Sequence, residues 1–143
     1  MPSGDDAVLL DTHALVWVLS GDERLAGTEA LSRIERASED SSLYVSVASL
    51  SELAAWESVG RVRFAIPEGL WIDRITETPG LRVYPLDSTV AVEAGRLPGE
   101  FAGDVTDGFI VATARVIPAV LFTADSRLTT YARHGFVSIF DLR

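Results

Sequence analysis

The chain contains no cysteine, and all 12 of its basic residues are arginine, so lysine is missing as well. The first absence excludes thiolate catalysis, disulfides, zinc ribbons and iron–sulfur clusters. The second excludes a P-loop lysine and a Schiff-base lysine. Asn and Gln are also absent, a bias that a GC-rich genome produces and that excludes no chemistry. Positive charge is scarce: against the 12 Arg stand 21 acids, for a net charge of −9. The fold as a whole therefore offers no basic surface of the kind that drives non-specific nucleic-acid binding. Any anionic substrate must be met by a local Arg patch or by bound metal. Long hydrophobic runs are lacking too, the longest being Ala14–Leu19 and Phe109–Ala112, well short of the ~20 residues of a membrane span. The opening Met1–Asp6 is short and acidic, without the basic and apolar regions of a signal peptide. The expectation is a cytoplasmic protein with no membrane association.

What is present is a succession of short apolar runs: Ala7–Leu10, Leu43–Val47, Leu81–Tyr84, Ala119–Phe122 and Phe136–Phe140. Their Val/Leu/Ile/Phe content and polar borders read as buried strands. Between them lie segments with helical spacing at Thr12–Ser20, Thr28–Ser38, Ser49–Val59, Glu68–Glu77, Val90–Leu97, Asp107–Val116 and Arg127–Arg133. Alternation of this kind predicts right-handed crossovers and an α/β fold, with a central, mainly parallel five-stranded sheet flanked by helices on both faces. No repeat, linker or low-complexity stretch divides the chain. Residues 1–143 are expected to form one domain, long enough to bury roughly 68% of its unfolded surface without staples.

The acids fall at particular places in this grammar. Val8-Leu9-Leu10 runs directly into Asp11, and Val120-Leu121-Phe122 leads through Thr123-Ala124 to Asp125. Both acids thus sit at strand carboxyl ends, the edge where open α/β sheets bind ligands. Glu52 follows the second strand by about one helical turn, on a stripe with Ser49 and Trp56, and Asp104-Val105-Thr106-Asp107 opens the sixth helix. Helix capping accounts for each acid singly, since Asp and Ser are good N-caps, Ser49-x-x-Glu52 has the form of a capping box and Asp104-x-x-Asp107 is a variant of it. Capping does not require Asp11, Glu52, Asp107 and Asp125 to lie along one edge of one sheet. If they converge, their mutual repulsion calls for a cation. Two carboxylates ~4 Å apart cost about 4 kcal/mol at an effective dielectric of 20. An oxygen-only donor set selects Mg²⁺ or Mn²⁺, and metal-assisted attack of water on a phosphodiester is the natural chemistry. The two histidines, His13 and His134, read as surface or packing residues.

These stretches resemble the four motifs of PIN-domain ribonucleases, specifically the VapC-type toxins of bacterial toxin–antitoxin pairs. Leu9-Leu10-Asp11-Thr12-His13-Ala14-Leu15 is similar to the first motif and Val45-Ser46-Val47-Ala48-Ser49-Leu50-Ser51-Glu52-Leu53 to the second. Asp104-x-x-Asp107-Gly108-Phe109-Ile110-Val111-Ala112-Thr113-Ala114 is similar to the third, and Phe122-Thr123-Ala124-Asp125-Ser126-Arg127-Leu128 to the fourth. Together they span nearly the whole chain in the expected order. The resemblance implies metal ligands at Asp11, Glu52, Asp107 and Asp125, an auxiliary acid at Asp104 and a positioning hydroxyl at Thr123. It implies a Mg²⁺- or Mn²⁺-dependent endoribonuclease that leaves 5′-phosphate and 3′-hydroxyl ends. It also implies a VapB-type antitoxin partner, with assembly as a homodimer or, with antitoxin, as a heterotetramer or larger. The chain departs from the pattern at Gly103 and Gly108, where the family often has His and Arg. Substrate contacts normally made by that Arg must come from elsewhere. Arg61 and Arg63, just beyond a helix end at Gly60, are candidates for RNA phosphate contacts, weighed against a solvated turn.

Phosphoryl-transfer folds of the receiver or haloacid-dehalogenase kind also end their first strand in Asp, but they depend on a lysine this chain lacks. The alternative that stays open is a PIN-like module that binds RNA or protein without cutting, and beyond it an α/β domain whose acids are only caps. Trp17, Trp56 and Trp71 lie in helical apolar patterns and are expected to pack in the core or at a partner interface. The apolar faces Ala26–Ile34 and Leu50–Val59 are candidates for docking or for core.

Overall fold

Val8–Leu10 (β1) occupies the middle of a five-stranded sheet of order β3-β2-β1-β4-β5 in the computed structural model, which describes residues 6–143. Met1–Asp5, on which the reading of the N-terminus rests, lie outside the described residues. The other strands are Leu43–Ser46 (β2), Leu81–Tyr84 (β3), Val120–Thr123 (β4) and Ile139–Asp141 (β5). All four pairings are parallel, with Val8 opposite both Leu43 and Val120, and Leu10 opposite Val45 and Phe122. A strand hydrogen-bonded on both sides and covered on both faces has no polar alternation to show, and Val8, Leu9 and Leu10 are all at most 1% exposed.

Alternate residues of β1 feed two cores. Val8 and Leu10 join Leu43, Val45 and Phe122 on one face, covered by the helices Thr12–Ser20 (α1), Glu29–Glu39 (α2), Val47–Ser58 (α3) and Trp71–Glu77 (α4). Leu9 and Leu121 face the other side under Val105–Val116 (α6) and Ser126–Ala132 (α7), while Ser88–Gly95 (α5) packs on α6. Trp56 and Trp71 belong to the first core and Trp17 packs against it. Of the two candidate docking faces, Ala30, Ile34, Leu53 and Trp56 are buried in the same core, whereas Ala26 and Val59 are exposed. No helix among the described residues is long and apolar enough to cross a membrane.

Differences from the expected element ends have local causes. Helix α3 begins at Val47, because the Ser46 hydroxyl accepts the Ala48 amide proton at 3.0 Å and caps it. Ser49 and Glu52 are therefore inside the helix and do not form the capping box their spacing suggested. Helix α5 starts two residues early, at Ser88, on the Asp87 cap. The fourth helix starts at Trp71 and not at Glu68, since Gly69 takes a left-handed φ of 83° that no helix continues through. Strand β5 is Ile139–Asp141 where Phe136–Phe140 was expected; pairing starts when the Ser138 carbonyl accepts the Leu121 amide. Phe136 instead packs its ring on Tyr131.

Replacing Leu9 by Ala deletes a fully buried side chain from the sheet centre and is expected to cost about 3 kcal/mol in urea unfolding. Val92→Ala, at a site 51% exposed, should stay within about 0.5 kcal/mol of the parent.

Candidate active site

The carboxyl ends of β1, β2 and β4 open at the same edge of the sheet, and each passes into a helix, with Asp11 and Asp125 as the N-caps of α1 and α7 and Glu52 on the second turn of α3. Asp11 follows β1 and caps α1, its Oδ1 accepting the Ala14 amide at 2.8 Å. Its own amide donates to the Phe122 carbonyl at 3.1 Å, so the main chain beneath the carboxylate is held by the sheet. Asp11 is only 5% exposed. Burial pushes its carboxyl above the usual carboxylate range, against the opposing effects of the Thr123 hydroxyl and the Ala14 amide. Thr123 is fully buried at the end of β4, and its hydroxyl also accepts the Asp125 amide at 3.0 Å. One side chain thereby ties together the acids that follow two adjacent strands.

The sixth helix opens with the capping box its sequence suggested. Asp104 Oδ1 accepts the Asp107 amide at 2.8 Å, and Asp107 Oδ2 accepts the Asp104 amide at 3.1 Å. Burial raises the Asp107 carboxyl to about 6, helped by the negative charge of Asp104 and opposed by the Asp104 amide and by Arg127. Asp125 caps α7 through Oδ1, which accepts the Arg127 amide at 2.8 Å. Arg127 then folds back over the acids: its Nη2 lies 2.7 Å from Asp125 Oδ2 and 3.0 Å from Asp107 Oδ2. This pairing holds Asp125 below the usual carboxylate range. Glu52 is half-buried on α3. The first turns of α1 and α3 are pinned by a buried bond from the Thr12 hydroxyl to the Ser49 hydroxyl at 3.0 Å.

Asp11, Glu52, Asp104, Asp107 and Asp125 all line one cavity of about 160 Å³, with His13, Trp56, Arg61 and Arg127 at its walls. The structure thus brings together the five acids that the sequence singled out, with Thr123 immediately behind them. It separates the two arginines: Arg61 lies over the Trp56 ring at 4.8 Å inside this cavity, whereas Arg63 borders a different groove with Phe64 and Ile66. His13 is exposed and packs on Trp56, ring centroids 4.7 Å apart. Among the described residues, no three acidic or histidine side chains close into a ready-made metal-ligand set. Part of the charge compensation comes instead from Arg127, a residue whose role sequence reasoning missed. Its place two residues after a capping Asp was legible, but Asp107, its second partner, is 20 residues away in the chain.

The sequence profile of the PIN domain matches residues 8–134. Ribonuclease VapC22 of Mycobacterium tuberculosis is 36% identical over 127 residues, covering 89% of this chain and 92% of that one. The chain belongs to the PIN-domain family, on its VapC branch. Solved structures carry the same fold at low identity. VapBC2 from Rickettsia felis, bound to a DNA fragment from its promoter, matches 94% of this PIN domain and 98% of its own chain with a TM-score of 0.69 at 16% identity. DNA-bound VapBC from Salmonella typhimurium matches 96% and 98% with a TM-score of 0.64 at 21% identity. FitAcB from Neisseria gonorrhoeae matches 94% and 97% with a TM-score of 0.59 at 21% identity.

Because Asp107 binds its proton more tightly in the folded PIN domain than in the unfolded chain, its contribution to stability is present at low pH. That contribution is lost as pH rises from the ordinary carboxylate value of 3.8 to about 6. In EDTA-treated protein, a carboxyl ¹³C titration should place Asp107 near 6. Asp104→Asn, which keeps the cap but removes the charge, should lower the midpoint, and Arg127→Ala should raise it. A midpoint near 4 that neither change moves would contradict this electrostatic picture.

Proposed function

We propose that this PIN domain is the endoribonuclease toxin of a VapBC-type pair, hydrolysing RNA phosphodiester bonds with Mg²⁺ or Mn²⁺ held by Asp11, Glu52, Asp107 and Asp125. The observation that carries the reading is the meeting of these acids in one small cavity at the carboxyl edge of the sheet. Burial lifts two of them, Asp11 and Asp107, out of the usual carboxylate range. Capping alone leaves that arrangement unexplained, because caps need neither burial nor a shared cavity. The donor set fits a hard divalent ion: it is all oxygen, negatively charged and partly dry. When bound, such an ion supplies Lewis-acid stabilisation of the phosphate and a nucleophilic water at neutral pH.

The protein's part is to hold the donors still. Asp11 is fixed by the β1–β4 pairing and oriented by Thr123, Asp107 is fixed by its reciprocal cap with Asp104, and Glu52 is fixed by the α1–α3 clasp. Arg61, stacked on Trp56, is the candidate for an RNA phosphate, and Arg63 faces elsewhere. Relatives named VapC and complexes named VapBC support a VapB-type antitoxin as the partner. An acidic cavity suits a basic side chain from that partner, in a homodimer, heterotetramer or larger assembly in the cytoplasm where the RNA is. The alternative is a PIN module that binds RNA or protein without cutting it.

Purified protein freed of antitoxin is incubated with total cellular RNA in Mg²⁺, Mn²⁺ or EDTA. Discrete fragments that require metal are expected, and Asp11→Asn should reduce their formation by more than about 100-fold. That exceeds the 10–100-fold expected for Thr123→Val, which removes an orienting partner and not a ligand. Folded protein that leaves RNA intact in every lane would favour the non-cutting module.

A further inference from the structure

Beside the acidic cavity lies a second one of about 250 Å³, lined by Glu100, Ser126, Arg127, Thr130, Tyr131 and His134. Arg127 is the wall common to both. Resting on the nuclease reading, we propose that this second cavity binds the base and ribose of the nucleotide next to the cleaved bond, and that it favours guanine.

The lining has the chemistry of a nucleoside site and not of a phosphate site. Glu100 puts an exposed carboxylate at the rim, which repels phosphate and accepts from N–H donors. Guanine presents two adjacent donors, N1–H and N2–H, to which one carboxylate can accept two bonds. No other common base offers that pair. Ser126 and Thr130 add exposed hydroxyls, able to meet a ribose 2′-OH. His134 is an exposed flat ring, lying nearly parallel to Phe136 at 5.9 Å and 24°, and a stacking base adds to such a platform. Tyr131 closes the inner side as a fixed wall. Its hydroxyl is committed to the Pro98 carbonyl at 2.6 Å, and its ring stands edge-on to Phe101 at 5.1 Å.

Size and position agree with this assignment. The cavity is below the roughly 300 Å³ at which drug-sized sites begin and suits one nucleoside. The shared Arg127 places it directly beside the acids, so a strand with its scissile phosphate in the first cavity sets an adjacent sugar and base in the second. The exposed half of the Arg127 guanidinium then lies along the intervening backbone.

The test uses five-nucleotide RNAs, all uridine except for one guanosine moved stepwise along the strand, with adenosine counterparts. Binding is measured by fluorescence anisotropy on Asp11→Asn protein and on unmodified protein in EDTA. One guanosine position should bind about fivefold or more tighter than all-uridine RNA, the low end of a two-bond base contact. Glu100→Gln should erase that preference without weakening all-uridine binding, since it removes a charge that repels phosphate, and His134→Ala should weaken every oligonucleotide about fivefold. Both side chains are exposed, so thermal midpoints should not move. The subsite is overturned if affinity is flat along the series, if neither variant alters it, or if no oligonucleotide binds. It is also overturned if the variants leave RNA binding intact but weaken capture of an Arg-rich peptide, which would give the cavity to a protein partner. Metal-dependent cleavage of total RNA by the unmodified protein would survive any of these results, whereas protein that neither cuts nor binds RNA removes the nuclease reading itself.

Discussion

Negative charge held out of water at one edge of the sheet is the constraint around which the rest is arranged. Parallel strands all end on the same side, so acids that follow β1 and β4, and acids in the helices after β2 and α5, are driven toward a common point. Burial and like charge then act in the same direction on Asp11 and Asp107, favouring their protonated forms. The protein tolerates this because each acid has donors aimed at it: the Ala14 amide and Thr123 for Asp11, the Asp104 amide and Arg127 for Asp107. These bonds reduce the repulsion without neutralising the cluster.

The same donors explain why capping and a role in the cavity are not rival readings. A capping Asp spends one oxygen on the helix and is thereby fixed in orientation. Asp125 shows the division clearly, with Oδ1 on the Arg127 amide and Oδ2 turned to the Arg127 guanidinium. Asp11 is anchored likewise through Oδ1. Helix N-termini attract anions, so several of them at one sheet edge are a means of positioning carboxylates accurately. Glu52 differs, since its helix is capped by Ser46; its position depends on the Thr12–Ser49 clasp and on the packing of Leu53 and Trp56 beneath it.

On the proposed reading, the arginines are where an acidic chain meets a polyanion. With a net charge of −9, long-range steering of RNA is unfavourable and attraction must be local. Arg61 over Trp56 and Arg127 between two acids stand on the walls of the same cavity. Each guanidinium is held by a neighbour, a ring in one case and carboxylates in the other, which lowers the entropy lost on meeting a phosphate. Gly108 leaves no side chain of its own beside the acids, and a Cβ there would meet only Phe101 at ordinary contact distance.

The strands, most of the helices and the individual acids were legible in the sequence because their causes are local. An unbroken apolar triplet such as Val8–Leu10 identifies a doubly covered strand, and an Asp placed just before a helical pattern identifies a cap. The places where the reading slipped were also local in origin but needed backbone geometry: the left-handed Gly69 that delays α4, the Ser46 cap that advances α3, and the hydrogen bond from Leu121 that sets where β5 begins. What only the tertiary structure decided is which groups meet. The order β3-β2-β1-β4-β5 puts β1 between the strands that lead to Glu52 and Asp125, closes the cavity on Arg61 and turns Arg63 away. It also brings Arg127 to an acid 20 residues distant. Periodicity and capping act over one or two turns of chain, whereas the meeting of charges depends on strand pairings between residues far apart in sequence, and no short-range pattern records these.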